Sequence, residues 1–471
     1  MKVRSRNFGG NEVWEAQRYQ PASEAEVLEI LDRHRHVRIR AAGSLHSWSD
    51  IALCLDVSLD LRRLDTIRVH ERDGVTLARV GAGCTLQALL DRLQATGALT
   101  LPTLGVIKRQ TIAGAISTGT HGSGMQSLSH FVMGARLAGY DAAGRPAIFD
   151  VSTGDELRAV RCGLGCTGIL LSLDLATVPR YRVQETLELD ASLDRILGRY
   201  AEDPLTQFAL VPYAWKYLVF RRRPLRAASP SFLEHAKVLF FRLYQLLWVD
   251  IGTHLGVKAA IALGAAAVKA TLRLTPSLLI RGVRRVDEAE RVLTMGHDYF
   301  RHEEMELFVP ESRLAEALEV LRHATEVFAG EPSAPAPRVT AALQAHGLLE
   351  ALLLHRGTHT QHYPFSIRRL LPEDTLLSMG SSVDEPLYSI SVFTYARRSR
   401  REPYYAFCAW LARCMSELYG ARLHWGKHFP LGKQDVALAY PGLEKFNHVC
   451  RAFDPHGVFR NGYIARVLGP R

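Results

Sequence analysis

The sequence predicts an α+β chain of two domains, and three observations carry that reading. Over the first 180 residues strands, short helices and turns recur in the order strand, helix, strand. Within that span lies Thr103–Gly124, TLGVIKRQTIAGAISTGTHGSG, in which five glycines are interleaved with small hydroxyl residues. Beyond residue 181, strands alternate with amphipathic helices in the manner of a sheet covered by helices. A chain of 471 residues is too long for one small core, so two domains are also the prior from length.

Taken in order, Ser23-Glu24-Ala25-Glu26 reads as a capping box, and Val27, Ile30 and Leu31 follow at helical spacing. Val37–Arg40 alternates as a strand, LCLDVSLDL within residues 51–67 as a second, and Val75–Gly83 as a third. A capped helix is expected over Thr85–Gly97, and a hairpin joins Met133–Tyr140 to Ala147–Val151. Arg158–Thr177 reads as helix, glycine turn and an almost unbroken apolar strand buried on both sides. In the second half, Glu303–Pro310, Tyr363–Leu371 and Leu387–Tyr395 read as strands. Glu311–Phe328 and Tyr404–Leu418 read as helices, and Gly330–Arg338 as a proline-rich loop.

The glycine stretch carries chemistry. Glycine allows close backbone approach or positive φ, and successive exposed N–H groups form a nest for an anion such as a pyrophosphate. A second loop of this kind, AGSLHSWSD over Ala42–Asp50, centres on His46. Two such loops, one with a lone histidine, suit a dinucleotide whose ring is tethered. No G-x-G-x-x-G opens a βαβ helix, which disfavours a Rossmann domain.

The net charge of +10 suits an anionic partner or membrane surface, or reflects only an arginine-rich composition. No nucleic-acid-binding signature accompanies it, so no nucleic-acid partner is expected. Seven scattered cysteines and an N-terminal segment without an apolar signal core fit a reduced, cytoplasmic setting. Residues 231–281 form an apolar insert with recurring Lys and Arg, and its uncharged runs are shorter than the ~20 residues of a spanning helix. It reads either as a patch lying in the bilayer interface or as a helical insert packed on its own domain or a partner subunit. His355, His359 and His362 form H-x-x-x-H-x-x-H, but Gly357 and Pro364 argue against one helix face and no metal is expected.

GSLHSWSD, the GAG turn at 81–83, AGAISTGTHGSG and GLGCTGIL at 163–170 resemble, in order and spacing, the vanillyl-alcohol-oxidase/p-cresol-methylhydroxylase (PCMH) flavoprotein superfamily. His424-Trp425-Gly426-Lys427 and the tail Phe453-Asp454-Pro455…Phe459-Arg460-Asn461-Gly462-Tyr463 resemble its sugar-1,4-lactone oxidase and alditol oxidase branch. The resemblance implies a two-subdomain, PCMH-type FAD-binding domain over 1–180, followed by a sheet-and-helix substrate or cap domain over 181–471. FAD is the implied cofactor, bonded through its 8α carbon to His46. Arg40, Ala41, Ala42, Gly43, Ser44, Leu45 and Ser47 would wrap the pyrophosphate. Thr111, Gly114, Thr118, Gly119, Thr120 and His121 would line ring and phosphates from the other side, and Ile169 the adenine-side segment.

By the same resemblance Lys427 and Arg368 are catalytic cations on the substrate side, with solvated surface charge as the plainer alternative. Gly105 sits where bulk would gate oxygen, so glycine there favours an oxidase that forms hydrogen peroxide; a loop glycine with no gating role is the alternative. Val106, Ser366, Thr394 and His424 would line the substrate pocket. Ser366 stands where this branch usually has a carboxylate, and Val106 is apolar where some relatives offer a hydroxyl. Both point to a substrate less polar than, or shaped differently from, the usual lactone or polyol. The implied reaction is oxidation of an alcohol group on a small sugar-type molecule, with O2 as acceptor. A membrane-associated dehydrogenase serving a quinone or cytochrome is the nearer rival, and a non-catalytic scaffold the farther one.

Overall fold

The computed structural model describes residues 2–105, 107–225, 240, 243–244, 251–279, 281–282, 284–295 and 301–469. Val106 and most of residues 226–250 therefore lie outside the described residues.

Two small sheets make the first domain. In one, Lys2–Arg6 pairs antiparallel with Val13–Tyr19, and Val57–Leu59 runs parallel between Val13–Tyr19 and Ile39–Ala41. The other is antiparallel throughout, in the order Ile67–Arg72, Val75–Gly81, Ile169–Ala176, Val132–Tyr140, Pro146–Val151. An antiparallel sheet has no place for a Rossmann crossover. Ile169–Ala176 is its central strand and is almost wholly buried, as its apolar run predicts. The helix Glu24–Arg33 starts where Ser23 accepts the Glu26 N–H, but the Glu26 carboxylate takes the Ala22 N–H rather than that of Ser23. Thr85 likewise caps Leu86–Gly97.

The second domain is built on an eight-stranded antiparallel sheet that begins at Arg182. Its order is Arg284–Glu288, Arg182–Asp190, Lys216–Leu225, Gln207–Val211, Phe365–Leu370, Leu387–Thr394, Glu303–Pro310, Arg422–Leu423. The amphipathic helices Leu314–Phe328 and Glu402–Tyr419 pack against it. Within the apolar insert, Thr253–Leu263 and Ala265–Leu278 form a helical hairpin whose Ala260, Val268 and Leu272 pack with Val211 and Leu218 of the sheet. No described helix is long and apolar enough to cross a membrane.

The chain does not end in the second domain. Leu443–Phe453 packs on Gly154–Val160 and on the Val132–Tyr140 strand, and Gly462–Leu468 packs on the turn Asp50–Ala52. Asn461 donates to the carbonyls of Asp50, Ile51 and Leu53 at 2.8–3.1 Å, and the Ile39 N–H reaches the Val458 carbonyl at 2.9 Å. The tail thus returns to the histidine loop and fixes its far side.

Candidate flavin and substrate site

The two small-residue loops face each other across one cleft. Arg40–Ser47 forms one wall, Gln110, Thr111, Ala113, Gly114, Ser117 and Thr118 the other, and Leu164, Gly165, Gly168 and Leu170 a third side. The cavity they enclose is about 110 Å³, open to solvent on one side. A Cβ on Gly43 would stand 2.1 Å from Thr111 Oγ1, so only glycine lets these loops approach. Leu45 takes positive φ (57°), which turns His46 into the cleft wall, where Phe8 stacks on the imidazole at 5.1 Å. Thr111 caps Ile112–Ser117, and that helix's first turn opens on the cleft. A backbone-rich cradle beside an aromatic-packed histidine suits a diphosphate with its ring held nearby.

Six positions differ from expectation. Arg40 lines the cleft, but its guanidinium donates to the carbonyls of Gly165, Phe459, Ile51 and Leu164 at 2.6–3.0 Å. It ties the walls together rather than offering a free cation to phosphate. Ile169 is in the core instead of the cleft, because alternation along its strand puts Leu170 on the cleft side. Gly119, Thr120 and His121 fall beyond the cleft lining. Gly119 supplies a positive φ of 74°, and Thr120 Oγ1 reaches Gln110 Oε1 at 3.4 Å. Gly105 has its missing Cβ aimed at Thr120 Cγ2, 2.4 Å away, so packing alone demands glycine there.

The H-W-G-K motif closes on the histidine loop. The Trp48 N–H donates to the Gly426 carbonyl at 2.8 Å, and Ser49 Oγ to the Trp425 carbonyl at 2.7 Å. Lys427 lies 4.2 Å over the Trp48 ring and is hydrogen-bonded to Glu304, so its charge is already paired. Lys427 and the loop that carries His46 therefore meet, although 381 positions separate the two residues.

Register on the large sheet assembles the substrate side. Ser366 pairs with Ser391, and Ser391 with Glu306; Arg368 pairs with Ser389, and Ser389 with Phe308. Paired residues share a face, so Ser366, Ser391 and Glu306 form one row and Arg368 and Ser389 the next. Thr394 has the opposite parity to Ser391 and points to the other face, where its hydroxyl accepts the Ala396 N–H. Ser391 takes the place assigned to Thr394.

Above the row, His121 Nε2 stands 3.3 Å from Glu306 Oε1, and ligand atoms of His121, Glu306 and His424 all lie within 4.8 Å of one another. Burial pushes the Glu306 carboxyl up, but His121, with Arg368 and Lys427 beyond it, outweighs this and holds it well below the usual range. Burial drives His424 well below its usual value, so it is neutral. A metal is a poor occupant: His424 Nδ1 accepts the Gly426 N–H, which leaves the proton on Nε2, and two more cations stand close by. Among the described residues, Ser389 Oγ, Ser391 Oγ, Arg368 Nε, Glu304 Oε1 and Glu306 Oε1 are buried without a hydrogen-bond partner. Orphans gathered on one face call for a polar guest.

Beside this floor lies a small cavity of about 20 Å³, room for little more than one water. Pro102, Leu104, Met125, Tyr181, Leu205 and Leu293 wall it, and Gln207, Arg222 and Arg368 reach it from the sheet. In the histidine triplet, His362 Nε2 accepts the Tyr395 N–H and His359 packs on Phe407. Glu304, Glu306, Ser389 and Ser391 escaped the sequence reading. The signal was there, as Glu304 and Glu306 at period two inside EEMELFVP, a buried strand that also carries Glu303.

The sequence profile of the FAD-binding-domain family matches residues 16–142, and that of D-arabinono-1,4-lactone oxidase matches 250–467. The chain is 40% identical to a long-chain alcohol oxidase of an uncultured marine euryarchaeote, over 98% of this chain and 96% of that protein. It is 28% identical to L-gulono-1,4-lactone dehydrogenase of Mycobacterium tuberculosis, covering 96% and 95% of the two chains. Mouse L-gulonolactone oxidase is 25% identical over 96% and 94%. The crystal structure of cholesterol oxidase from Brevibacterium sterolicum superposes with a TM-score of 0.69 over all of this chain and 97% of its own, at 14% identity, which speaks to the fold. With cleft, sheet and relatives in agreement, the chain belongs to the FAD-linked lactone oxidase family of PCMH-type flavoproteins, and its cofactor is FAD.

Proposed function

We propose that this protein is an oxidase that converts an alcohol group on a largely apolar substrate to a carbonyl, with FAD bonded to His46 and reoxidised by O2. The observation that carries this reading is the buried polar floor of unpartnered serine and glutamate atoms, with a small, partly apolar cavity beside it. The floor offers serine hydroxyls and a carboxylate to one hydroxyl, whereas Pro102, Leu104, Met125, Leu205 and Leu293 give the neighbouring walls an apolar side. The similarity to a long-chain alcohol oxidase points the same way. Bound FAD supplies the acceptor for the hydride leaving carbon. Ser366, Ser391 and Glu306 orient the hydroxyl, and the leucine walls exclude water from it. Lys427, paired with Glu304, keeps a fixed positive charge beside the His46 loop.

A panel of a straight-chain primary alcohol, a polyol and a 1,4-lactone tests the reading. Under anaerobic conditions the straight-chain alcohol should bleach the flavin at the lowest concentration, and admitted air should restore the colour within seconds while hydrogen peroxide forms. Equal or better reduction by the lactone refutes the apolar substrate. A flavin that stays reduced in air but recovers with a quinone supports the dehydrogenase reading. One observation favours that rival: Leu255, Leu263, Leu274 and Leu278 are exposed on the helical hairpin, a surface suited to a lipid interface.

The flavin tether has its own check. Acid-precipitated wild-type protein should give a yellow pellet, whereas the His46→Ala pellet should be white with flavin in the supernatant. A colourless wild-type pellet refutes the covalent bond.

A further inference from the structure

We propose that Glu306 is the group that takes the proton from the substrate hydroxyl, with Ser391 beside it to orient that hydroxyl and His121 behind it to hold its charge. The proposal rests on alcohol oxidation as the reaction, and the geometry supplies the rest. Glu306 lies in the same cross-strand row as Ser391 and Ser366, on the face that carries the orphaned polar atoms. Its Oε1 faces His121 Nε2 at 3.3 Å without a well-formed hydrogen bond, and the Ser391 hydroxyl is buried without a partner. An alcohol O–H donating to Glu306 while its oxygen accepts from Ser391 would satisfy both.

The other groups around it are poorer bases. His424 accepts the Gly426 N–H through Nδ1 and carries its proton on Nε2, so it has no lone pair to offer. His121 bonds to the Gly122 carbonyl through Nδ1 at 2.9 Å and turns Nε2 to Glu306, so the carboxylate stands in front of it. Arg368 and Lys427 are cations, and Glu304 gives one oxygen to Lys427 and sits opposite Phe393, outside the serine rows. Glu373 also acts on His121, from the far side of the loop.

The step balances. The O–H bond breaks and its proton passes to a Glu306 oxygen; the C–H hydrogen leaves with its electron pair for FAD; the carbon–oxygen double bond forms. The alcohol loses two electrons and FAD gains them. Because His121 neutralises the carboxylate, removing that imidazole should raise the pH at which Glu306 takes up a proton.

The test uses flavin-loaded wild type, Glu306→Gln, Glu306→Asp and His121→Gln, each checked for normal flavin content and melting temperature. Anaerobic flavin reduction by a straight-chain alcohol should slow about a hundred- to ten-thousand-fold in Glu306→Gln. Glu306→Asp should recover part of that loss. In His121→Gln the acid limb of the pH profile should move to higher pH than in wild type. A readout independent of turnover is binding of a tertiary alcohol of the same chain length, which cannot be oxidised, followed by perturbation of the flavin spectrum. Its affinity should fall about tenfold in Glu306→Gln, the loss of one charge-assisted hydrogen bond. Reduction of wild type with unchanged reduction of Glu306→Gln overturns the assignment and leaves alcohol oxidation standing. Tertiary-alcohol binding that is equal in both proteins, or absent from wild type, also overturns it. Failure of every alcohol to reduce wild type, with the binding difference intact, refutes the oxidation and keeps Glu306 as the hydroxyl contact.

Discussion

Replacing Arg40 by leucine should destabilise the protein by at least about 3 kcal/mol and strip it of flavin. The guanidinium is buried and donates to four main-chain carbonyls drawn from three separate segments: Ile51, the Leu164–Gly165 turn and Phe459. A hydrogen bond from a charged donor contributes about 1.5–3 kcal/mol, and each carbonyl left buried without a donor adds its own desolvation cost. Relaxation of the loops recovers some of this, so the estimate sits well under the sum. Arg40→Lys should rescue little, because one ammonium cannot span the fork of a guanidinium. The urea midpoint and the FAD content per chain measure both effects. A leucine variant with wild-type midpoint and full flavin would show that these contacts do not hold the cleft.

Acidification is the second large effect. Burial, reinforced by the neighbouring His362, pushes His359 down to about 3; burial pushes His362 to about 4, and burial with Arg466 pushes His428 to about 4. A histidine whose folded value lies below its unfolded one binds fewer protons when folded, so its contribution is complete above the unfolded value. It is lost as pH falls from 6.5 toward 4. Each such histidine costs about 1.4 kcal/mol per pH unit over that window. Glu303 and Glu373, raised by burial, act in the opposite sense, while Glu306 and Glu185, lowered by their cationic partners against the pull of burial, act with the histidines. Melting temperature should therefore drop across this range, and His359→Gln should flatten the slope in part, since His424 and other buried histidines share it. A pH-independent melting temperature over the window would contradict it.

The cofactor half of the protein was legible because it is local. Glycine spacing and the histidine loop are contiguous stretches, and the cleft is made from them directly. The elements read from periodicity also hold, with small shifts: Val37–Arg40 shortens to Ile39–Ala41, and Glu311–Phe328 opens with a single tight turn before Leu314–Phe328. The substrate half was less legible because it is assembled by register. Nothing local brings Ser391 beside Glu306, 85 positions away; the pairing of two strands does. Parity also decided the misplaced residues. Ile169 is one step, and Thr394 three steps, from a residue that does face the site, and an odd number of steps along a strand reverses the face. Arg40 shows a different limit. Sequence identifies a charge but not the carbonyls that consume it.

The returning tail sets an order of events during synthesis. Val458, Phe459 and Asn461, which clasp Ile39, Arg40 and the Asp50–Leu53 turn, leave the ribosome some four hundred residues after the segments they hold. Until then the nascent first domain lacks the far anchor of its histidine loop. Cofactor capture should accordingly wait until residue 461 has emerged, and a ribosome stalled before residue 458 should display a first domain unable to retain its flavin.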